Sequence, residues 1–344
     1  MIENFFKLNA FKVRKKDKIL FEKKVFELNS FHEQKSNFYK NISFFKKNSK
    51  KKKIQDLPFL SARVFKQITL HSINKSQIFK TLLSSGTSGD KSKIILDKKN
   101  AFNQTRVLIK IFNDFFEKKN RLPMIIVDKP KTKNKNIFLA SEVASTGFSF
   151  LGKDYFYLLN EKNEIRFEDL KNYIKKYKNS EILIFGMTAF IWQHLIIQNK
   201  QNFNLSNAII LHGGGWKKIY DQNANKLNFK KLLKKKYNIN RVHDYYGMVE
   251  QTGSIFFECE RGFFHTSIFS DVLVRDKDFK ICNNRKKGII QVISVLPSSY
   301  PGHSILTEDL GIIYGLNNCK CGRSGKFFKI NGRLARAEAR GCGN

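Results

Sequence analysis

Apolar residues follow two alternating rhythms along this chain. Val107, Leu108, Ile111, Phe112, Phe115 and Phe116, with Phe102 ahead of them, recur for the most part three and four apart, the spacing that lines one face of a helix. Met124-Ile125-Ile126-Val127 is instead an unbroken apolar run closed by Asp128 and Pro130, which predicts a short buried strand. The alternation then repeats. Leu170, Tyr173, Ile174 and Tyr177 form a helical stripe, Ile182 to Phe185 a strand, Phe190 to Ile197 a helix, Ala208 to Leu211 a strand and Leu227 to Tyr237 a basic helix. Buried strands alternating with helices predict an open α/β sheet with ligands at the carboxyl ends of its strands. Upstream, residues 1–56 are rich in Lys and Phe. The spacing of Phe21, Val25, Phe26 and Leu28 predicts helices packed on the main body, and Lys50 to Lys53 read as an exposed connection.

Composition narrows the class. A chain of 344 residues with 41% hydrophobic and 13% aromatic content can bury one large core or two modest ones. The formal charge of +35 would suit nucleic acid or an anionic surface. The lysines, however, are spread over almost every segment among Asn, Ile and Phe, without an aromatic-plus-basic recognition module. A solvated basic surface is the favoured reading, with no specific nucleic-acid partner, while an acidic partner or anionic substrate fits the same field. The five cysteines are few and odd in number, as expected for a reduced cytoplasmic protein rather than a disulfide scaffold. Met1 to Asn4 open no signal-peptide pattern, and the low-charge run Ile137 to Lys153 is too short and polar for a transmembrane segment.

The unusual chemistry falls in glycine-containing connections. Ser84-Ser85-Gly86-Thr87-Ser88-Gly89 is a run of small residues with Lys91 and Lys93 behind it. Backbone N–H groups, hydroxyls and lysines in that order can cradle a phosphate. The spacing is not that of a Walker A loop, and alone such a turn is more often a solvated loop. The strand ending at Leu211 runs into His212-Gly213-Gly214-Gly215-Trp216, and a strand ending near Val242 runs into Asp244-Tyr245-Tyr246-Gly247-Met248-Val249-Glu250. Three polar connections therefore share one predicted sheet edge.

These segments continue into an ordered motif set: SSGTSG with its lysines, GGGW, YGMVEQTG, LTEDLG and NGRLARAEARG. The set resembles the adenylate-forming superfamily. Within it, YGMVEQTGSIF, LPSSYPGHSILTEDLG, CKCGRSGKFF and the terminal ARGCG are similar to the acyl-protein synthetase family of LuxE type, the long-chain-fatty-acid–protein ligases. The likeness spans roughly residues 80–344. It implies an α/β fold with an adenylate-forming, acyl-CoA-synthetase-like large domain of twisted sheets flanked by helices, and a C-terminal lid domain missing or vestigial. The expected organisation is a basic helical segment over 1–79, the α/β core over 80–315, and a Cys-x-Cys segment with a short tail over 316–344.

The resemblance also implies an activity: ATP-dependent conversion of a fatty acid to an acyl-adenylate, then acyl transfer to an enzyme cysteine. Carried over by motif, Ser84, Ser85, Gly86, Thr87, Ser88 and Gly89 hold the ATP phosphates, and Tyr246 and Gly247 lie near adenine and the acyl-phosphate. Glu250 coordinates Mg²⁺, and Asp309 and Arg333 bind the ribose hydroxyls. Gly213, Gly214 and Gly215 line the acyl and adenylate cleft, with Gly186, Met187 and Phe190 as an apolar wall. With no lid lysine, Lys91 and Lys93 or the tail arginines are left to neutralise charge on the reacting phosphate. Cys342, between Gly341 and Gly343, is the expected acyl-accepting nucleophile, and Arg336 and Arg340 would favour its thiolate. The bland readings are a surface acid at Glu250, a turn cap at Asp309, a salt bridge at Arg333 and helix packing at Met187 and Phe190. His303 reads equally as a carboxylate-orienting or a structural residue, and His243 as structural.

Partners implied are a fatty acid and an acyl reductase or acyl-carrier protein, and an oligomer is compatible with the sequence. The alternative activity is that of a phenylacetate-type acyl-CoA ligase, which would need CoA and ignore Cys342. Finally, Cys319-Lys320-Cys321 together with Cys259 and His265 could complete a four-ligand Zn²⁺ site. The same residues also read as three reduced thiols and a surface histidine. Cys282 fits neither arrangement and reads as a strand residue.

Overall fold

The computed structural model describes residues 2–44, 53–84, 91–130, 147–215, 221 and 224–334, with the side chains of 43 and 44 excepted. The described residues form two compact units, one of those up to 117 together with those from 247 onward, the other of those between 118 and 246. The strands, in chain order, are β1 (Leu60–Ser61), β2 (Lys80–Leu83), β3 (Lys93–Leu96), β4 (Leu122–Ile126), β5 (Gly152–Tyr157), β6 (Ile182–Met187), β7 (Ala208–Gly213), β8 (Arg241–Tyr246), β9 (Phe256–Phe257), β10 (Phe264–His265), β11 (Ser270–Arg275), β12 (Gly288–Ser294), β13 (Ser304–Leu316) and β14 (Lys326–Arg333). The helices that matter here are α1 (Lys15–Lys35), α2 (Asn37–Phe44), α3 (Lys98–Phe116), α4 (Phe167–Lys176) and α5 (Lys226–Tyr237). Among the described residues, no helix is long and apolar enough to cross a membrane.

In the second unit the strands run parallel in the order β5-β4-β6-β7-β8. Strands β4, β6 and β7 are buried almost throughout, as continuous apolar runs require when helices cover both faces of a parallel sheet. Leu170 of α4, Trp192 and Leu195 of the segment Ile191–Gln198, and Phe229 and Leu233 of α5 pack against Ile125, Ile184 and Ile210. The predicted helix Phe190 to Ile197 is present, but Ile191–Gln198 is wound as a π-helix. Two strands reach further than the apolar runs suggest. Parallel pairing carries β7 through His212 and Gly213 and β8 as far as Asp244, and β8 itself runs on to Tyr246. Backbone hydrogen bonding to a neighbour holds polar residues in strand where their own sequence reads as turn.

The first unit is built on an antiparallel sheet, β10-β14-β13-β12-β11, with β1 parallel to β13. Helix α3 follows the β2–β3 hairpin and is started by Asp97, whose side chain accepts from the Asn100 amide at 2.6 Å. Such a cap satisfies one of the amides that a helix start leaves unpaired. Asn100, buried inside α3, donates to the Leu296 carbonyl at 2.8 Å, which ties the helix to the segment after β12. From α1, fully buried His32 takes the Ser72 hydroxyl at Nδ1 (2.8 Å) and donates from Nε2 to the Pro297 carbonyl (3.0 Å). Its ring stacks on that of His303 with centroids 5.1 Å apart. The N-terminal helices are thereby anchored to the main body of this unit.

Candidate functional site

Four of the implied nucleotide-binding positions meet within the first unit. Ser84 and Ser92 extend the β2–β3 ladder at the end joined by its connecting loop: the Ser84 amide donates to the Ser92 carbonyl at 3.1 Å, and the Ser92 amide to the Ser84 hydroxyl at 2.9 Å. The Ser92 hydroxyl, fully buried, then donates to Glu250 Oε1 at 2.6 Å. Glu250 is itself buried, in the short 3₁₀ turn Val249–Gln251. That turn is held from two sides. Tyr300 donates to the Glu250 carbonyl at 2.8 Å, and the Gln251 amide group donates to the carbonyls of Val292 and Gly302 at 2.9 and 2.8 Å.

Burial pushes the Glu250 carboxyl above its ordinary range, while the Ser92 hydroxyl and the charges of Lys66 and Arg333 pull it down. Desolvation wins, so the group is a carboxyl whose ionisation depends on its partners. Arg333 on β14 stands opposite Asp309 on β13 and donates from Nε to Oδ1 at 2.6 Å. The Asp309 amide donates to the Thr307 hydroxyl at 3.1 Å, which fixes the start of this pair. Glu250, Asp309 and Arg333 are therefore brought into one neighbourhood with Ser84 at its edge. Lys91 is half-buried and Lys93 exposed on either side of Ser92. Ser92, Lys66 and Tyr300 were not among the sequence candidates. Ser92 had one legible signal, a small hydroxyl residue between two lysines at strand spacing.

Gly213 and Gly214 of the second unit lie where a side chain would meet a neighbour. A Cβ at Gly213 would lie 2.4 Å from the Tyr245 ring, and at Gly214, with φ +84°, 2.3 Å from the Met187 methyl. Thr188 donates its hydroxyl among the Gly213 and Gly214 carbonyls, each 3.1 Å away. Beneath them the rings of Phe148, Phe185 and Tyr245 cluster, with Phe148 centroids 4.7 and 4.5 Å from the other two. Gly186 is closed in by Val127 and Ile191, Gly215 is exposed and Tyr246 is half-buried at the end of β8. Phe190 is exposed and edges onto His194. In the first unit, Gly247 is exposed, with Ile255 where its Cβ would be.

A second constellation lies elsewhere in the first unit. Cys259, His265, Cys319 and Cys321 place one ligand atom each within 4.8 Å of all the others. His265, read as a surface residue in one of the two alternatives, is fully buried. Its Nε2 lies 3.3 Å from the Cys321 sulfur, and burial lowers its pKa to about 4. Burial pushes the Cys259 thiol up to about 12, against the backbone N–H groups of Phe263 and Arg261 that draw it down. Cys282 stands apart, one residue beyond an isolated bridge rather than inside a strand. His303 is enclosed by His32 and Tyr39, whose hydroxyl is 3.1 Å from Nε2, and this burial favours its structural role. Buried His243 ends no loop but pairs along β8. Ser85, Gly86, Thr87, Ser88, Gly89 and Cys342 lie outside the described residues.

The architecture is that of the adenylate-forming ligases. It matches 2-hydroxyisobutyryl-CoA ligase, in an open conformation with 2-HIB-AMP and CoA, at a TM-score of 0.70 and 14% identity over 93% of this chain and 75% of that one. The same enzyme in its thioesterification state matches at a TM-score of 0.71 and 12% identity, over 94% and 70%. Sequence narrows this class. The family model described as acyl-protein synthetase, LuxE, matches residues 6–344, and the chain belongs to that family. The long-chain-fatty-acid–luciferin-component ligase of Aliivibrio fischeri is 25% identical over 272 residues, 76% of this chain and 70% of that protein. The ligase of the same name from Vibrio harveyi is 24% identical over 309 residues, 84% and 77% respectively. The protein is an ATP-dependent acyl-protein ligase.

Proposed function

We propose that the protein activates a long-chain fatty acid with ATP and carries the acyl group on Cys342 before passing it to a partner. A fatty carboxylate oxygen attacks the α-phosphorus of ATP and pyrophosphate leaves. The Cys342 thiolate then attacks the acyl carbonyl and AMP leaves, so the acyl group remains activated as a thioester. The carrying observation is the buried Ser92–Glu250 pair, 2.6 Å apart, beside the Asp309–Arg333 pair, also at 2.6 Å. Carboxylates, a hydroxyl and a guanidinium in one neighbourhood are the groups that a nucleotide with its metal demands.

The oxygen donors of Glu250 and Ser92 fit Mg²⁺, which takes one or two carboxylates together with phosphate oxygens. Bound there, the ion would screen the phosphate charge. Asp309 accepts from ribose hydroxyls in this reading, and Arg333 orients it and contributes positive charge. Ser84 to Gly89, with Lys91 and Lys93, hold the phosphates, and Lys91 and Lys93 supply charge to the reacting centre. Tyr246, Gly247 and Gly213 to Gly215 would lie along adenine and the acyl-phosphate, Met187 and Phe190 along the hydrocarbon. The acceptor after Cys342 is an acyl reductase or an acyl-carrier protein. The thiol and imidazole cluster stands outside this chemistry.

Incubation with ATP, Mg²⁺ and labelled fatty acid without CoA tests the scheme. Hydroxylamine-labile label on the denatured protein, lost in Cys342→Ser, is expected. Label retained in that variant refutes the nucleophile, and AMP release only on adding CoA would instead identify an acyl-CoA ligase.

A further inference from the structure

We propose that Cys259, His265, Cys319 and Cys321 bind one structural Zn²⁺ ion. The four ligand atoms all lie within 4.8 Å of one another. A tetrahedron with Zn–S bonds of about 2.3 Å has edges of about 3.8 Å, so the side chains need close by about 1 Å at most. Three sulfurs and one imidazole nitrogen are a donor set that favours zinc over the oxygen-seeking Mg²⁺ and Ca²⁺.

The backbone is built for such a centre. Cys259-Glu260-Arg261-Gly262 and Cys319-Lys320-Cys321-Gly322 form the same turn twice. In each, the glycine N–H donates to the carbonyl of the first cysteine, at 2.8 and 3.0 Å, and the glycine has positive φ, +76° and +82°. Both turns present their thiols to one point. Three thiolates on Zn²⁺ leave one net negative charge. Arg323, two residues beyond Cys321, supplies a cation that acts on His265 and is itself held by Glu260 at 3.0 Å and over the Phe115 ring at 3.9 Å.

A disulfide is the weaker reading, because any one pair would leave a third thiol and the imidazole without use, and all three cysteines are free thiols here. The ion would join elements that pair only weakly on their own. His265 lies on β10, two residues long, opposite Phe327 of β14, while Cys319 and Cys321 lie in the connection between β13 and β14. Those two strands carry Asp309 and Arg333, so the centre would fasten the far end of the hairpin that bears them.

The test uses full-length protein purified without chelator, with elemental analysis, together with protein produced in zinc-depleted, cobalt-supplemented medium. One zinc per chain is expected, as are the visible bands of tetrahedral Co²⁺ with thiolate-to-cobalt charge transfer. Cys321→Ser should bind the metal at least tenfold more weakly, and Cys282→Ser should bind it unchanged. Protein free of stoichiometric metal with all its thiols reactive would overturn the proposal. So would stoichiometric iron, or a disulfide within the cluster found by mass spectrometry. If Cys321→Ser fails to fold, the metal content and cobalt spectrum of the unsubstituted chain still decide.

Discussion

Replacing Ser92 by Ala removes one hydroxyl from a buried carboxyl and nothing else of size. Ser92 Oγ is 2.6 Å from Glu250 Oε1, and both side chains are buried. A hydrogen bond to a charged group contributes about 1.5–3 kcal/mol, which corresponds to about 1–2 pH units of carboxyl pKa at 1.36 kcal/mol per unit. The sign follows from the partners. Burial already raises Glu250, and the Ser92 hydroxyl is the first of the influences that lower it. Its loss raises the carboxyl further, so the ionised form appears only at higher pH. If Glu250 must be ionised to hold Mg²⁺, the acidic limb of ATP–pyrophosphate exchange moves up by about 1–2 units in Ser92→Ala. The Mg²⁺ concentration for half-maximal exchange rises at pH values on that limb, and Ser92→Thr, which keeps a hydroxyl, restores most of the wild-type profile. An acidic limb unmoved in Ser92→Ala, in protein of unchanged fold, would refute both the pairing and the role of Glu250.

Other expectations follow from single contacts. Asp309→Asn keeps the shape of the Arg333 pair but loses its charge, and should raise the KM for ATP about 10–100-fold, read in steady-state kinetics. Cys342→Ser should retain ATP–pyrophosphate exchange while losing the hydroxylamine-labile acyl label, and loss of exchange too would move Cys342 from acceptor to structural residue. Gly214→Ala places a Cβ at φ +84° against the end of Met187, a side chain that can turn away, so backbone strain dominates and about 1–2 kcal/mol of stability should go in urea unfolding. His32 is lowered to about 4 by burial, against the Pro297 carbonyl that raises it. The unfolded chain then binds the proton first, and stability falls as pH drops from about 6.5 towards 4, by up to about 1.4 kcal/mol per unit. His32→Gln should show a shallower slope of urea midpoint against pH, and an equal slope would dismiss the argument.

Local pattern alone determined much of this molecule. Period and run length marked β4, β6, β7, α3, α4 and α5, because an apolar stripe or run has to be buried wherever it folds. The ordered motifs carried the family, and the Cys-x-Cys and Cys-x5-His spacings picked out the four metal-binding candidates. Tertiary structure decided what depends on a distant partner. The antiparallel sheet of the first unit was not legible, since half-polar strands such as Lys326–Arg333 take their conformation from neighbours. His212 and Asp244, which read as turn residues, are strand residues for the same reason, paired with each other across β7 and β8. Nothing near Ser92 in sequence announces Glu250, and nothing in α1 announces His303. Only folding sets 158 residues of separation to a 2.6 Å contact, and only folding draws one sulfur from a turn, one nitrogen from a short strand and two sulfurs from a hairpin loop to within 4.8 Å of one another. Periodicity reports which face is buried. It holds no information on which buried group meets which, because that is settled by the packing of whole elements.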